Sequence, residues 1–115
     1  MSYSPSIPVE LQIRKIIFEK FNQPDLKFTN DEIFEILKNT GDIDPAWIID
    51  DTEKYFLDLC DSGLARNIAQ NFTTIWMKLF ESVEKLHCSS CNNDVYLGPE
   101  EDRICPNSNC KSTIN

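Results

Sequence analysis

The sequence is short of glycine, histidine and basic residues, and each shortage excludes something. Three glycines and one histidine in 115 residues leave no phosphate-cradling loop and no dinucleotide fingerprint, both of which need clustered glycines for close backbone approach. Nothing in the sequence resembles a nucleophile–base pair, so the expectation is a protein that is not an enzyme. No apolar run comes near the roughly 18 residues of a membrane span. No targeting segment, internal repeat or low-complexity stretch stands out either, which points to an intracellular protein without membrane contact.

Bases are outnumbered, 11 against 19 acids, for a formal charge of −8. Four thiolates on one zinc ion would take this to about −10. Phosphate backbones repel such a chain unless its few bases cluster, so overall charge favours a basic protein partner over bare nucleic acid. At 41% hydrophobic and 26% charged residues the composition is that of a soluble globular protein. The length suits one domain, or one small domain with an appendage.

What the chain does have is a cysteine-bearing tail. Cys88-Ser-Ser-Cys91 is followed, after thirteen residues, by Cys105-Pro-Asn-Ser-Asn-Cys110. Two cysteine pairs on tight turns form the ligand set of a tetrahedral zinc site. Gly98-Pro99 turns the chain between them, and few large apolar residues are present (Val95, Tyr96, Leu97, Ile104). Metal binding would therefore supply most of this segment's folding free energy. The cofactor expected is Zn2+, held by Cys88, Cys91, Cys105 and Cys110, with an iron–sulfur cluster on the same thiolates as the alternative. Two disulfides fit poorly with an odd count of five cysteines. His87 is read as a bystander beside Cys88, because four thiolates already complete the shell and leave no open catalytic position. Cys60 is read as core packing.

Upstream, Pro8 precedes Ile13, Ile16, Ile17 and Phe21 at helical spacing, predicting helix 1 over about 8–22. Phe28 falls in a short strand or bridge. Thr29-Asn-Asp-Glu32 reads as a capping box opening helix 2 over about 30–39, with Gly41 as a left-handed stop. Asp44-Pro45 is expected to open helix 3, with Ile48, Thr52, Tyr55, Phe56 and Leu59 on its buried stripe and Ser62-Gly63 at its end. A hairpin follows, 64–69 and 73–80, turning at Gln70-Asn71, with Ile75, Met77 and Leu79 on one face and Trp76, Lys78 and Phe80 on the other.

Three helices and a hairpin, with the stop Gly63 leading straight into Leu64, resemble the winged-helix fold over residues 7–80. The tail resembles a zinc ribbon. The fold class expected is therefore α+β: a winged helix over 1–85 and a small zinc-ribbon module over 86–115. The combination is similar in architecture to archaeal general transcription factor E, although that family joins its modules by a longer helical linker. Winged-helix subunits of RNA polymerase III that end in an iron–sulfur cysteine cluster are a second, weaker resemblance, with different spacing. Residues 44–62 set Asp44, Asp50, Asp51, Glu53, Asp58 and Asp61 against the single base Lys54, which disfavours entry of helix 3 into a DNA groove. Helical geometry puts Trp47 with Asp51, Lys54 and Asp58, either as a partner-binding hot spot or beneath helix 1 or the N-terminal arm. Trp76 and Phe80 are expected under the ribbon. The function implied is a non-catalytic interaction module in transcription. It would dock through acidic helix 3 on a protein complex such as RNA polymerase or other transcription machinery, with direct nucleic-acid binding weak or absent. The alternative is a DNA-binding transcriptional regulator using Arg14, Lys15 and Lys20 on helix 1 with Arg66 and Lys78 on the wing.

Overall fold

A computed structural model describes residues 7–99, 101–107 and 110–114 of the chain, and its architecture is organised around the first helix. Helix α1 (Val9–Lys20) opens directly after Pro8, where a proline's missing N–H costs nothing. Leu11, Gln12, Ile13 and Arg14 are consecutive and all buried. At about 100° per residue, four buried positions in a row mean the helix is covered on several sides rather than along one stripe. Val9, Ile13, Ile16 and Ile17 enter the main core, whereas Leu11 enters a second core beneath the cysteines.

Strand β1 (Phe28–Thr29) leads into helix α2 (Asn30–Thr40) through the expected capping box. The Glu32 N–H donates to Thr29 Oγ1 at 3.1 Å, and the Thr29 N–H donates back to Glu32 Oε1 at 3.1 Å. Gly41 does end this helix, but in extended backbone at φ −85°. It is needed for space rather than handedness, since a Cβ there would lie 2.8 Å from the Leu37 carbonyl oxygen.

Helix 3 starts later than the sequence pattern suggests. Asp44 Oδ1 accepts from the Ala46 N–H at 2.9 Å, which closes a local turn instead of a helix cap. Lys38 Nζ holds that turn through the Pro45 and Trp47 carbonyls, at 2.6 and 3.2 Å. Ile48 is extended, a 3-10 turn spans Ile49–Thr52, and only then does helix α3 (Glu53–Asp61) begin. Two β-branched residues, Ile48 and Ile49, and a competing aspartate side chain weaken helix over 44–48. Thr52, Phe56 and Leu59 are buried as expected, whereas Ile48 is 59% exposed. Gly63, at φ 91°, supplies the left-handed exit.

Strands β2 (Ala65–Asn71) and β3 (Thr74–Leu79) form the wing, and β1 pairs with β3 to give an antiparallel sheet ordered β1-β3-β2. The turn is Phe72-Thr73, because Asn71 pairs with Thr74; the turn chemistry of Gln70-Asn71 is absorbed into the strand. Ile75, Met77 and Leu79 face the core with Phe28 and Ala65. The turn end of the wing is tied to α2 by Asn30, which donates to the Thr73 carbonyl and accepts from the Ile75 N–H, both at 2.7 Å.

The cysteine module is a second hairpin, β4 (Glu84–Cys88) and β5 (Asn93–Leu97), followed by the loop that returns the second cysteine pair. It does not cover Trp76 and Phe80, which remain 42% and 46% exposed. It packs on α1 instead. Tyr96 joins the main core with its ring 5.0 Å from that of Phe18, while Val95 and Leu97 join Leu11 and Ile114 in the second core. The fold is an α+β winged helix with a C-terminal cysteine-rich module docked on its first helix. No helix among the described residues is long and apolar enough to cross a membrane.

Candidate functional site

Cys88 ends β4, and Cys91 sits in the turn to β5, one residue before Asn92 at φ 58°. Cys105 and Cys110 flank the second turn, which closes in the same way with Lys111 at φ 54°. The Cys110 and Lys111 N–H groups both donate to the Asn107 carbonyl, at 2.9 and 3.1 Å. The Cys105 N–H donates to the Ser112 carbonyl at 2.8 Å, and Ile104 bridges Thr113, so the two arms of this turn are held together.

All four sulfurs lie within 4.8 Å of one another. The Cys88–Cys110 and Cys91–Cys105 separations are both 3.7 Å. A zinc ion about 2.3 Å from each of four sulfurs requires edges of about 3.8 Å, so two opposite edges already have that length and the remaining ones lie within 4.8 Å. The cysteines are free thiols, not disulfides, and the cluster is able to hold one metal ion. Its acidities are split: hydrogen bonds from the Ser112 hydroxyl and backbone bring Cys110 down to about 7, while burial pushes Cys105 up. A cation would offset the desolvation that resists ionisation of Cys105. His87 is not in the cluster; its Nδ1 lies 3.2 Å from Asp94 Oδ1 across the β4–β5 pair.

Of the five bases assigned to nucleic acid, Arg14 is unavailable. It is 5% exposed, and its guanidinium donates from Nη1 and Nη2 to the two carboxylate oxygens of Glu101, each at 2.8 Å. Nη1 also donates to the Tyr96 carbonyl at 2.8 Å. Glu101 Oε1 accepts in addition from the Gly98 N–H at 2.9 Å. Burial alone would raise the Glu101 carboxyl, but the Arg14 hydrogen bonds and charge hold it below its ordinary value. This pair pins the loop between the cysteine pairs to α1. An arginine between Ile13 and Ile16 was the one available signal of its burial, and it does not identify the partner.

Lys15 and Lys20 are exposed on α1, and Arg66 is exposed on β2, with Lys78 half-buried beside it on β3. Arg66 and Lys78 are direct cross-strand partners. Lys27, which the sequence pattern left unassigned, extends the row. It precedes Phe28, the partner of Met77, and so runs beside Lys78 on the other flank. The strands β1, β2 and β3 contain no Asp or Glu.

Trp47 lies in the turn before α3, not on a helix face, so the angular argument that grouped it with Asp51, Lys54 and Asp58 does not apply. Its ring stacks 6.3 Å from that of Tyr55 and packs against the main core. Asp51 Oδ2 is engaged by the Ile48 N–H at 2.8 Å, and Lys54 Nζ sits 5.1 Å over the Tyr55 ring. Asp58 is exposed, on the helix that begins only at Glu53.

No protein-family profile and no curated protein matches the chain. Among solved structures it is similar to the ferric uptake regulator of Francisella tularensis with iron, at 18% identity and a TM-score of 0.48, over 85% of this chain and 72% of that one. It is also similar to a chain described as belonging to prokaryotic transcription factors, at 18% identity and a TM-score of 0.47, over 81% and 71%. The resemblance to archaeal general transcription factor E and to polymerase-associated winged-helix proteins is withdrawn, because the cysteine module packs directly on α1 through Tyr96, Leu11 and the Arg14–Glu101 pair instead of standing off on a helical linker. The docking face built on Trp47 goes with it, since that ring is tied into the core. The expectation of a protein complex as partner, with weak or absent nucleic-acid binding, rested on net charge and is withdrawn, since the strands of the wing carry Arg66 and Lys78 and no acid.

Proposed function

We propose that this chain is a non-catalytic, DNA-binding transcriptional regulator of winged-helix architecture, with a structural zinc ion on Cys88, Cys91, Cys105 and Cys110. The winged-helix unit and the zinc-ribbon module would divide at about residue 85, near the start of β4. Zinc suits the donor set because four thiolates at tetrahedral spacing close its shell, so the ion would hold the two turns together and bring no reaction. The observation that carries the DNA reading is the cross-strand pair Arg66 and Lys78, with Lys27 just before β1, on strands that contain no acid, in a chain that has 19. Local charge, not net charge, decides where a phosphate backbone settles. The acids of α3 and of the 3-10 turn before it keep that segment out of the groove, so the wing leads. Lys15 and Lys20 are the remaining helix-1 bases free to contribute.

The test is fluorescence anisotropy of metal-loaded full chain with labelled duplex DNA across a salt series. Affinity should fall with salt at about −0.9 log unit per phosphate contacted, and Arg66→Ala or Lys78→Ala should each reduce the slope by about 1. Binding that ignores salt, or that both variants leave unchanged, would overturn the reading.

A further inference from the structure

The outer face of the three-stranded sheet carries more than charge. Trp76 on the central strand β3 and Phe80 just past its end stand on it, 42% and 46% exposed, two residues either side of Lys78. Trp76 is flanked across the sheet by Thr29 on β1 and Ala69 on β2. Both direct partners are small, and the extra residue of the bulge beside Ala69, Ile68, is itself 44% exposed, so apolar surface adjoins the indole. The Arg66 guanidinium lies 6.0 Å from the centroid of the Phe80 ring. At about 3.3 Å per residue the two rings are separated by about 13 Å along the strand, with cations between and beside them.

Duplex DNA has no use for such rings, because its bases are stacked on one another and only their edges line the grooves. Unpaired bases do, since each offers a π-face and the phosphates between them seek cations. We propose that this face is a stacking platform for single-stranded nucleic acid. Trp76 and Phe80 each take one base, and Lys27, Lys78 and Arg66 hold the intervening backbone. The proposal rests on the DNA-binding reading above and adds unpaired strands to what the basic side chains of this sheet hold. A protein partner would equally cover exposed aromatics, but Arg66 and Lys78 on strands that carry no acid, with Lys27 just before β1, favour a polyanion; the nearby Asp31 carboxylate is engaged by the Thr74 hydroxyl.

Tryptophan fluorescence reports it directly. In a Trp47→Phe background Trp76 is the sole tryptophan, and metal-loaded full chain is titrated with an oligothymidylate of about 12 nucleotides and with a duplex of equal length. The single strand should quench Trp76 and the duplex should not. Trp76→Ala and Phe80→Ala, read by anisotropy with labelled oligothymidylate, should each weaken single-strand binding by about 5- to 100-fold. They should change duplex binding less than about twofold, while Trp76→Phe retains most of the single-strand affinity. Both rings are half-exposed, so an unchanged melting temperature confirms that the variants fold. Salt-dependent duplex binding without quenching by the single strand would overturn the platform and leave the regulator reading standing. Failure to bind either form would overturn both. Concentration-dependent self-association abolished by Trp76→Ala, without oligonucleotide binding, would overturn the platform in favour of a second copy of the chain.

Discussion

Phe72 illustrates how much a single residue holds against its own preferences. It sits at the wing tip, 91% exposed, at φ 56°, where a bulky L side chain is strained by about 1–2 kcal/mol. Nothing is buried in return. Phe72→Asn should raise stability by about 1 kcal/mol, visible as a higher urea midpoint with unchanged slope; an unmoved midpoint would mean the ring has contacts that compensate. Glu101 presents the opposite case. With Arg14 as its partner and only 8% exposure, it should cost about 3–5 kcal/mol to remove, because Glu101→Ala leaves an arginine buried without its counter-charge. The pH dependence follows from its lowered acidity constant. A carboxyl depressed below its ordinary value of 4.5 contributes stability that is fully present above that pH and is lost as pH falls through the depressed value. Glu101→Gln should therefore flatten the acid limb of a stability–pH curve relative to wild type. Thiol protonation and metal loss occur in both proteins, so the difference between the two curves isolates this carboxyl.

At the scale of elements, the parts that read correctly were those with reciprocal local signals. The Thr29–Glu32 box fixes the start of α2 by two hydrogen bonds within four residues, and alternation along residues 75–80 fixes which side of β3 is buried. Elements specified by competition did not read correctly. Asp44-Pro45 has the chemistry of a helix start, yet the aspartate satisfies Ala46 in a turn, and the helix waits for Glu53. Likewise Gln70-Asn71 has turn chemistry, but the ladder continues two residues further because Asn30 holds Thr73 and Ile75 in place. The cysteine turns are again local, and their spacing was enough. One zinc per chain is expected by elemental analysis, with no stoichiometric iron. Cys105→Ser should abolish that stoichiometry, because the loss of one thiolate opens the shell and Cys105 is the most buried of the set. Retention of a full equivalent would show that His87 or a water replaces the missing ligand.

The whole molecule depends on one fact that local patterns do not carry: what stands on each side of α1. Trp76 and Phe80 were the obvious cover for a small apolar module, but the module chose the helix, where Leu11 reaches the core under the cysteines and Arg14 reaches Glu101. The same helix gives Val9, Ile13, Ile16 and Ile17 to the main core. Two cores sharing a helix are energetically coupled, because neither can lose its packing without exposing the other side of α1. The sequence argued that metal binding supplies most of the tail's own folding free energy. The shared helix argues in addition that removing the metal destabilises both cores. A chelator present in excess should lower the melting temperature of the helices themselves, followed by circular dichroism, and the metal-loaded chain should melt in one transition. Leu11→Ala should cost about 2–5 kcal/mol and weaken metal affinity, although Leu11 is no ligand, since it packs beneath Cys88 and Cys105. If chelation instead releases only the tail and leaves the helical signal and its midpoint untouched, α1 is held by the main core alone. The Arg14–Glu101 pair would then be a contact of the folded tail without influence on the wing.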